Sequence, residues 1–169
     1  MSNEIPYDFT YMKPSKKAEA VGIYMPSVVR ENVDIIVAVD TSGSISNKDL
    51  ADFLSEIIAI AKSFNQVRMT LITHDATIQD VYRVENGNID KIRNLKIHGG
   101  GGTSHKDVFE KVEKEYANAK LLILFTDGYS DLEEIESNKR TLIVMAGDYN
   151  KKLKEKELKF PCEIVEVEI

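Results

Sequence analysis

One cysteine, three histidines and no long apolar run are what this sequence offers where many proteins have more, and each shortage narrows what it can be. With Cys162 as the single thiol, no intrachain disulfide can form. Its setting, after Phe160-Pro161 and before Ile164-Val165, reads as a buried structural thiol rather than a nucleophile. A membrane-spanning helix needs roughly 18 consecutive apolar residues, and no stretch approaches that. The opening Met1-Ser2-Asn3-Glu4-Ile5-Pro6 lacks the basic and apolar regions of a secretory signal, so a cytoplasmic location is expected.

Positive charge is also scarce. Against 28 acidic side chains stand 22 lysines and arginines, a net charge of −6. That balance argues against a nucleic-acid or anionic-membrane partner. The local group Lys151, Lys152, Lys154, Lys156 and Lys159 is interleaved with Glu155 and Glu157 and reads as a solvated helix face. There is no internal repeat, no low-complexity tract, no His-Glu-x-x-His metallopeptidase motif, and no Gly-Lys-Ser/Thr after the glycine run that would make it a phosphate loop.

What is present is a globular composition, 43% apolar and 30% charged, in 169 residues, which suits one core. Residues 1–32 carry Pro6, Pro14 and Pro26 and read as an irregular lead-in with a short edge strand near Val21–Tyr24. The domain proper is expected over 33–169. Asp34 to Asp40 is a continuous apolar run, the pattern of a strand buried on both faces. Ser46 and Asp49 then provide a helix start, and Leu50, Phe53, Leu54, Ile57, Ile58, Ala61 and Phe64 form one apolar stripe.

Strands follow over Val67–Thr73 and Thr77–Val84, joined by a turn at His74-Asp75-Ala76. A second helix is expected after Thr103 or Ser104 as cap, with Val108, Phe109, Val112 and Tyr116 facing inward. Leu121 to Asp127 repeats the first strand's pattern and also ends in Asp. A short polar helix over 132–137, strands over 141–146 and 163–167, and a Lys-rich helical piece between them complete the chain. This alternation predicts an α/β fold: a doubly wound, mostly parallel central sheet with one antiparallel edge hairpin and helices on both faces.

In such a sheet ligands gather at the carboxyl ends of the strands, where Asp40 and Asp127 both stand. In a tight loop leaving a strand, residues two apart can face one point, so Asp40, Ser42 and Ser44 can converge. Their oxygens suit a hard cation such as Mg²⁺, which takes six oxygen ligands at about 2.0–2.1 Å, some of them water. The absence of Cys and His from this set argues against zinc. The glycines before Thr103 are expected to let the backbone come close to the ion.

Asp40-x-Ser42-x-Ser44, then Thr103, then Asp127 in a Thr-Asp-Gly turn resembles the metal-ion-dependent adhesion site of von Willebrand factor A (VWA) domains, over residues 33–169. Tyr11-Met12-Lys13-Pro14, Tyr24-Met25-Pro26-Ser27 and the Gly-Gly-Gly-Gly-Thr run look more narrowly like prokaryotic VWA-like domains that follow a zincin-like metallopeptidase domain. The chain departs from that narrower pattern in having no proline soon after the Thr-Asp-Gly turn, which bears on the shape of that loop.

The resemblance implies a Rossmann-like VWA fold and one ion, Mg²⁺ or else Mn²⁺ or Ca²⁺. Ser42, Ser44 and Thr103 would bind it directly, with Asp40 and Asp127 acting through water or hydrogen bonds. Neutral hydroxyls leave the ion under-neutralised, so an Asp or Glu of a protein partner would complete its shell. His74, Asp75, Gly102, His105 and Tyr129 are candidates to touch that partner, though surface or capping roles compete for the histidines and Asp75. His98 has no assigned role and Asp131 reads as part of a solvated turn. The resemblance also implies pairing with a MoxR-type AAA+ ATPase. The module is therefore expected to be a binding device and not an enzyme. The alternative is a metal-assisted hydrolase, a phosphoesterase or peptidase, with His74 or His105 moving protons around a metal-bound water.

Overall fold

A computed structural model describes residues 9–10, 27–28, 33–146 and 149–167 of the chain. The expected edge strand near Val21–Tyr24, and most of the 1–32 lead-in, fall outside the described residues. Within that segment β1 (Phe9–Thr10) pairs antiparallel with β2 (Ser27–Val28). The main sheet has six strands: β3 (Val33–Asp40), β4 (Val67–His74), β5 (Ile78–Glu85), β6 (Leu121–Thr126), β7 (Thr141–Ala146) and β8 (Cys162–Val167). Their order is β5-β4-β3-β6-β7-β8, and only the β4–β5 pair is antiparallel. The winding therefore reverses between β3 and β6, which makes the crevice at their carboxyl ends the place for a ligand.

Why β3 reads as one apolar run is now visible. Ile35, Val37 and Val39 enter one core cluster, while Ile36 and Ala38 enter the other, as the two-residue period of a strand demands. The first cluster is closed by helix α1 (Asn47–Lys62), through Phe53, Leu54, Ile57, Ile58, Ile60 and Ala61. The second is closed by α2 (Lys106–Glu115), through Val108, Phe109 and Val112. Helices thus cover both faces. Phe53 packs on Phe125 with ring centroids 5.2 Å apart, a tilted pairing that aromatic rings favour.

α1 starts where its sequence says. Ser46 caps it, accepting from Asp49 N at 3.1 Å, and the Asp49 carboxylate accepts in return from Ser46 N at 3.1 Å. α2 starts one residue later than expected: His105 stands at the cap position and its ring makes no capping bond, while Ser104 Oγ accepts from Lys106 N at a long 3.4 Å. The Ser104 hydroxyl donates to Asp131 at 2.6 Å, its shorter bond.

The polar and Lys-rich pieces are single 3₁₀ turns, Leu132–Glu134 and Lys151–Glu155. Cys162 is half-buried on the edge strand β8 rather than enclosed, because no further strand among the described residues covers that side of the sheet; burial still pushes its thiol pKa up. Among the described residues no helix is long and apolar enough to cross a membrane.

Candidate metal centre

The strand register brings the two aspartates to one edge. Val39 of β3 lies opposite Phe125 of β6, so Asp40 ends its strand beside Thr126, and Asp127 follows one residue later. Asp40 has no exposed surface and Asp127 very little. Asp40 Oδ1 accepts from Ser42 N at 2.9 Å, and its Oδ2 accepts from the Thr126 hydroxyl at 2.8 Å. The first bond folds the loop back on its own strand; the second ties β3 to β6. Asp127 Oδ1 accepts from Tyr129 N at 3.1 Å, making a similar turn around Gly128, which sits at a φ of 77° that favours glycine.

In the loop after β3 the hydroxyls of Ser42 and Ser44 stand 3.2 Å apart. Two adjacent ligands of an octahedral ion at 2.0–2.1 Å lie about 2.8–3.0 Å from each other. The observed separation therefore fits one edge of a Mg²⁺ octahedron with little adjustment. Ser42 is buried and Ser44 exposed, so the pair runs from the crevice floor to its rim.

The glycine run is held against this loop. Gly100 N donates to Thr41 O at 2.8 Å and Gly43 N donates to Gly101 O at 3.1 Å. The glycines make that close contact possible. A Cβ on Gly99 would lie 2.2 Å from Thr41 O, and one on Gly101 would lie 2.8 Å from Asp75 Oδ2. Thr103 follows two residues later, half-buried, with its hydroxyl unbonded among the described residues.

Several residues that sequence reasoning passed over do the bracing. Thr41 donates its hydroxyl toward His74 O at 3.0 Å and His98 O at 3.1 Å. Asp131 is not a solvated turn residue: its carboxylate accepts from Ser104 Oγ at 2.6 Å and His105 N at 3.0 Å. Asn150 donates its backbone N–H to Asp127 O at 2.7 Å. Thr126, directly before Asp127 in the Thr-Asp-Gly turn, was the one member of this group with an available sequence clue.

The rim candidates divide. His74 and His105 are wholly buried and face each other, with His74 Nε2 2.6 Å from His105 Nδ1. Neither offers a surface to a partner, which corrects the expectation that they line the rim. Asp75 is also buried, its carboxylate accepting from Thr77 N, Gln79 Nε2 and Gly101 N. Gly102 is exposed, and Tyr129 is 52% exposed directly beside Asp127.

Charge at this edge is one-sided. Asp40, Asp75, Asp127 and Asp131 form no ion pair with lysine or arginine among the described residues; those pairs lie elsewhere, as in Lys62–Asp90 and Arg68–Asp34. Burial works against the Asp75 and Asp131 carboxylates, but their hydrogen bonds outweigh it and hold both below the ordinary value. The histidines bring no compensating charge. Burial and the neighbouring His105 lower His74 to about 3, and burial lowers His105 to about 4. Among the described residues no three His, Cys, Asp or Glu are grouped to hold a metal, so an ion here would draw on hydroxyl oxygens, the donor set of a hard cation.

Comparison with known proteins agrees with this architecture. A family profile described as "VWA-like domain (DUF2201)" matches residues 35–154, which contain Asp40, Ser42, Ser44, Thr103 and Asp127. An uncharacterized protein of Thermotoga maritima is 28% identical over 142 residues, 83% of this chain and 33% of its own length. The chain thus spans about a third of that relative. Among solved structures, a von Willebrand factor type A protein from Catenulispora acidiphila aligns with a TM-score of 0.57 and 16% identity, covering 82% of this chain and 40% of its own. The ArnB paralog VWA2 from Sulfolobus acidocaldarius aligns with a TM-score of 0.56 and 18% identity, covering 80% and 42%. At these identities the two structures speak for the fold alone.

Proposed function

The chain belongs to the family of VWA-like domains (DUF2201), and from that premise we propose that it is a divalent-cation-dependent protein-interaction module. VWA domains commonly mediate protein interactions. The ion would be one Mg²⁺, with Mn²⁺ or Ca²⁺ as alternatives. Ser42, Ser44 and Thr103 would hold it directly, and Asp40 and Asp127 would support it through water or hydrogen bonds. The observation that carries this reading is the Ser42–Ser44 hydroxyl pair, 3.2 Å apart, set among carboxylates that no basic side chain balances among the described residues.

The bound ion would supply an electrophilic open position, and an Asp or Glu of a protein partner would fill it. Exposed Gly102 and Tyr129 flank that position as partner contacts. The partner suggested by the family resemblance is a MoxR-type AAA+ ATPase in the cytoplasm. The hydrolase alternative needs a base beside the ion, and the two histidines at this edge are enclosed and turned on each other.

Calorimetric titration with Mg²⁺ and Mn²⁺ tests the reading. Wild-type protein should bind one equivalent, Ser42→Ala and Asp127→Ala should bind weakly or not at all, and capture of the ATPase should require the ion. Equal binding by both variants, or capture that survives chelator, would sink it.

A further inference from the structure

Four consecutive glycines precede Thr103, so no side chain directly before it fixes its place. Backbone bonds of Gly100 and Gly101 hold the run before it, and side-chain bracing comes from the residues after it. There Ser104 N donates to Asp75 O at 2.9 Å, and the chain makes two further contacts through side chains. His105 N donates to Asp131 Oδ1 at 3.0 Å, with Ser104 Oγ bonded to the other carboxylate oxygen at 2.6 Å. The His105 ring meets His74 at the end of β4, ring centroids 4.9 Å apart and planes at 66°. His74 pairs in register with Asp40, and its carbonyl accepts both the backbone N–H of Thr41, at 2.7 Å, and the Thr41 hydroxyl. The two rings thus span from the Thr103 segment to the start of the serine loop.

The direction of the ring-to-ring bond follows from counting protons. A neutral imidazole carries one N–H, and the outer nitrogens, His74 Nδ1 and His105 Nε2, are buried without a hydrogen-bond partner. If His74 donated, His105 Nε2–H would be a buried donor with no acceptor. If His105 donates, the remaining proton sits on His74 Nδ1, where the backbone of Val39 is the polar group acting on it. The second arrangement sets the outer N–H near a backbone group that can relieve it, where the first leaves it with none, and so costs less.

We infer that this His105-to-His74 hydrogen bond, braced by Asp131, is a buried clamp that sets the Thr103 hydroxyl against the serine loop, so that His74, His105 and Asp131 are positioning residues for the cation. The inference rests on the cation reading above. It predicts that outer partners far from the ion tune its affinity, an effect that typically reaches about 10- to 100-fold.

Two measurements on cation-free protein test the clamp independently of metal. Nitrogen-15 NMR of the wild type should show the Nδ1–H tautomer on both His74 and His105, and the His105 amide, bonded to Asp131 Oδ1, should be protected from exchange. His105→Leu removes the donor; His105→Asn places an amide nitrogen where Nδ1 stood; Asp131→Ala frees the Ser104 hydroxyl and the His105 amide. The Leu and Ala variants should lose the protection and bind Mg²⁺ about 10-fold or more weakly, and the Asn variant should recover most of both. Rescue by Asn distinguishes positioning from simple packing.

Wild-type exchange and affinity in both the Leu and Ala variants would overturn the clamp, as would an absence of the Nδ1–H tautomer on His105. Should His105→Leu not fold, Asp131→Ala and the wild-type tautomers still decide. If the wild type binds no Mg²⁺, the cation reading fails, and exchange and tautomers alone judge the clamp.

Discussion

Replacing Asp40 with asparagine should raise the stability of the cation-free protein while abolishing the response to Mg²⁺. Asp40 has no exposed surface and, among the described residues, no basic partner. Its charge is met by two hydrogen bonds, from Ser42 N at 2.9 Å and Thr126 Oγ1 at 2.8 Å. Burying an ion costs several kcal/mol even after relaxation, and each bond to a charged group returns about 1.5–3 kcal/mol. The asparagine side chain keeps the shape. Its carbonyl can accept from Ser42 N, and its amide can donate to the Thr126 hydroxyl, which already accepts Gly128 N at 3.1 Å.

Each bond then falls to about 0.5–1.5 kcal/mol, a joint loss of about 2–3 kcal/mol against a larger relief of desolvation. A net gain of about 1–2 kcal/mol follows, or about 2–8 °C in melting temperature for a domain of this size. Saturating Mg²⁺ reverses the order: at 100 times its dissociation constant the ion stabilises wild type by about 2.7 kcal/mol and the Asp40→Asn variant hardly at all. Thermal unfolding followed by circular dichroism, in chelator and in Mg²⁺, reads both effects. An Asp40→Asn protein that melts below wild type in chelator would make Asp40 a purely structural residue. An undiminished Mg²⁺ shift would remove it from the site.

Two further predictions concern the surroundings. Gly99→Ala places a Cβ 2.2 Å from Thr41 O and 2.6 Å from Thr41 Cβ, so the glycine run must lift. That gives up Gly100 N→Thr41 O, Gly43 N→Gly101 O and Thr41 Oγ1→His98 O. At about 1 kcal/mol each, the loss is about 3 kcal/mol, or about 6–12 °C. Gly87→Ala, with open space around it, is the control, and equal melting of the two variants would refute the contact. The second prediction is a loss of stability below neutral pH. The folded rings of His74 and His105 resist protonation down to about 3 and about 4, whereas unfolded histidines take up protons from 6.5 downward. The unfolded state therefore binds more protons in that window, and stability falls as pH drops from about 6.5 toward 4, by up to about 1.4 kcal/mol per pH unit for each histidine. Urea midpoints across this range should fall with pH, and less steeply in His105→Asn; a flat wild-type profile would contradict the buried pair.

Much of this architecture was legible because it is local. β3 announces itself since both its faces feed cores, and α1 since Ser46, Asp49 and the Phe53–Ala61 stripe sit within a few turns of each other. What was hidden depends on distant pairs. Ser104 looks like a cap for α2, and its oxygen does meet Lys106 N at 3.4 Å, but its shorter bond is to Asp131, 27 residues on. His74 and His105 look like surface residues until each becomes the other's partner across 31 positions. Cys162 sits in an apolar context, but only the strand order reveals that β8 is an edge. A hydroxyl, an imidazole or a thiol has several satisfactory environments, and local sequence does not choose among them.

The same long-range bonds give the best physical reason for looking to Ser42, Ser44 and Thr103. Nearly every other polar group at this edge is committed to holding segments together. Thr41 spans to His74 and His98, Thr126 to Asp40, Asp75 to Gly101, and Asp131 to Ser104. The hydroxyls of Ser42 and Ser44 meet only each other, and that of Thr103 meets nothing among the described residues. Thr73 and Ser130 also carry unbonded hydroxyls, but theirs are sealed from solvent, whereas Ser44 is exposed and Thr103 half-buried. A rigid scaffold that spares three hydroxyls, and leaves them beside carboxylates without basic partners, lowers the ordering cost of binding a hard cation. On that argument the bracing residues matter to affinity as much as the ligands do, and the Asp131→Ala and Gly99→Ala variants should weaken Mg²⁺ binding without removing a single donor oxygen from the ion.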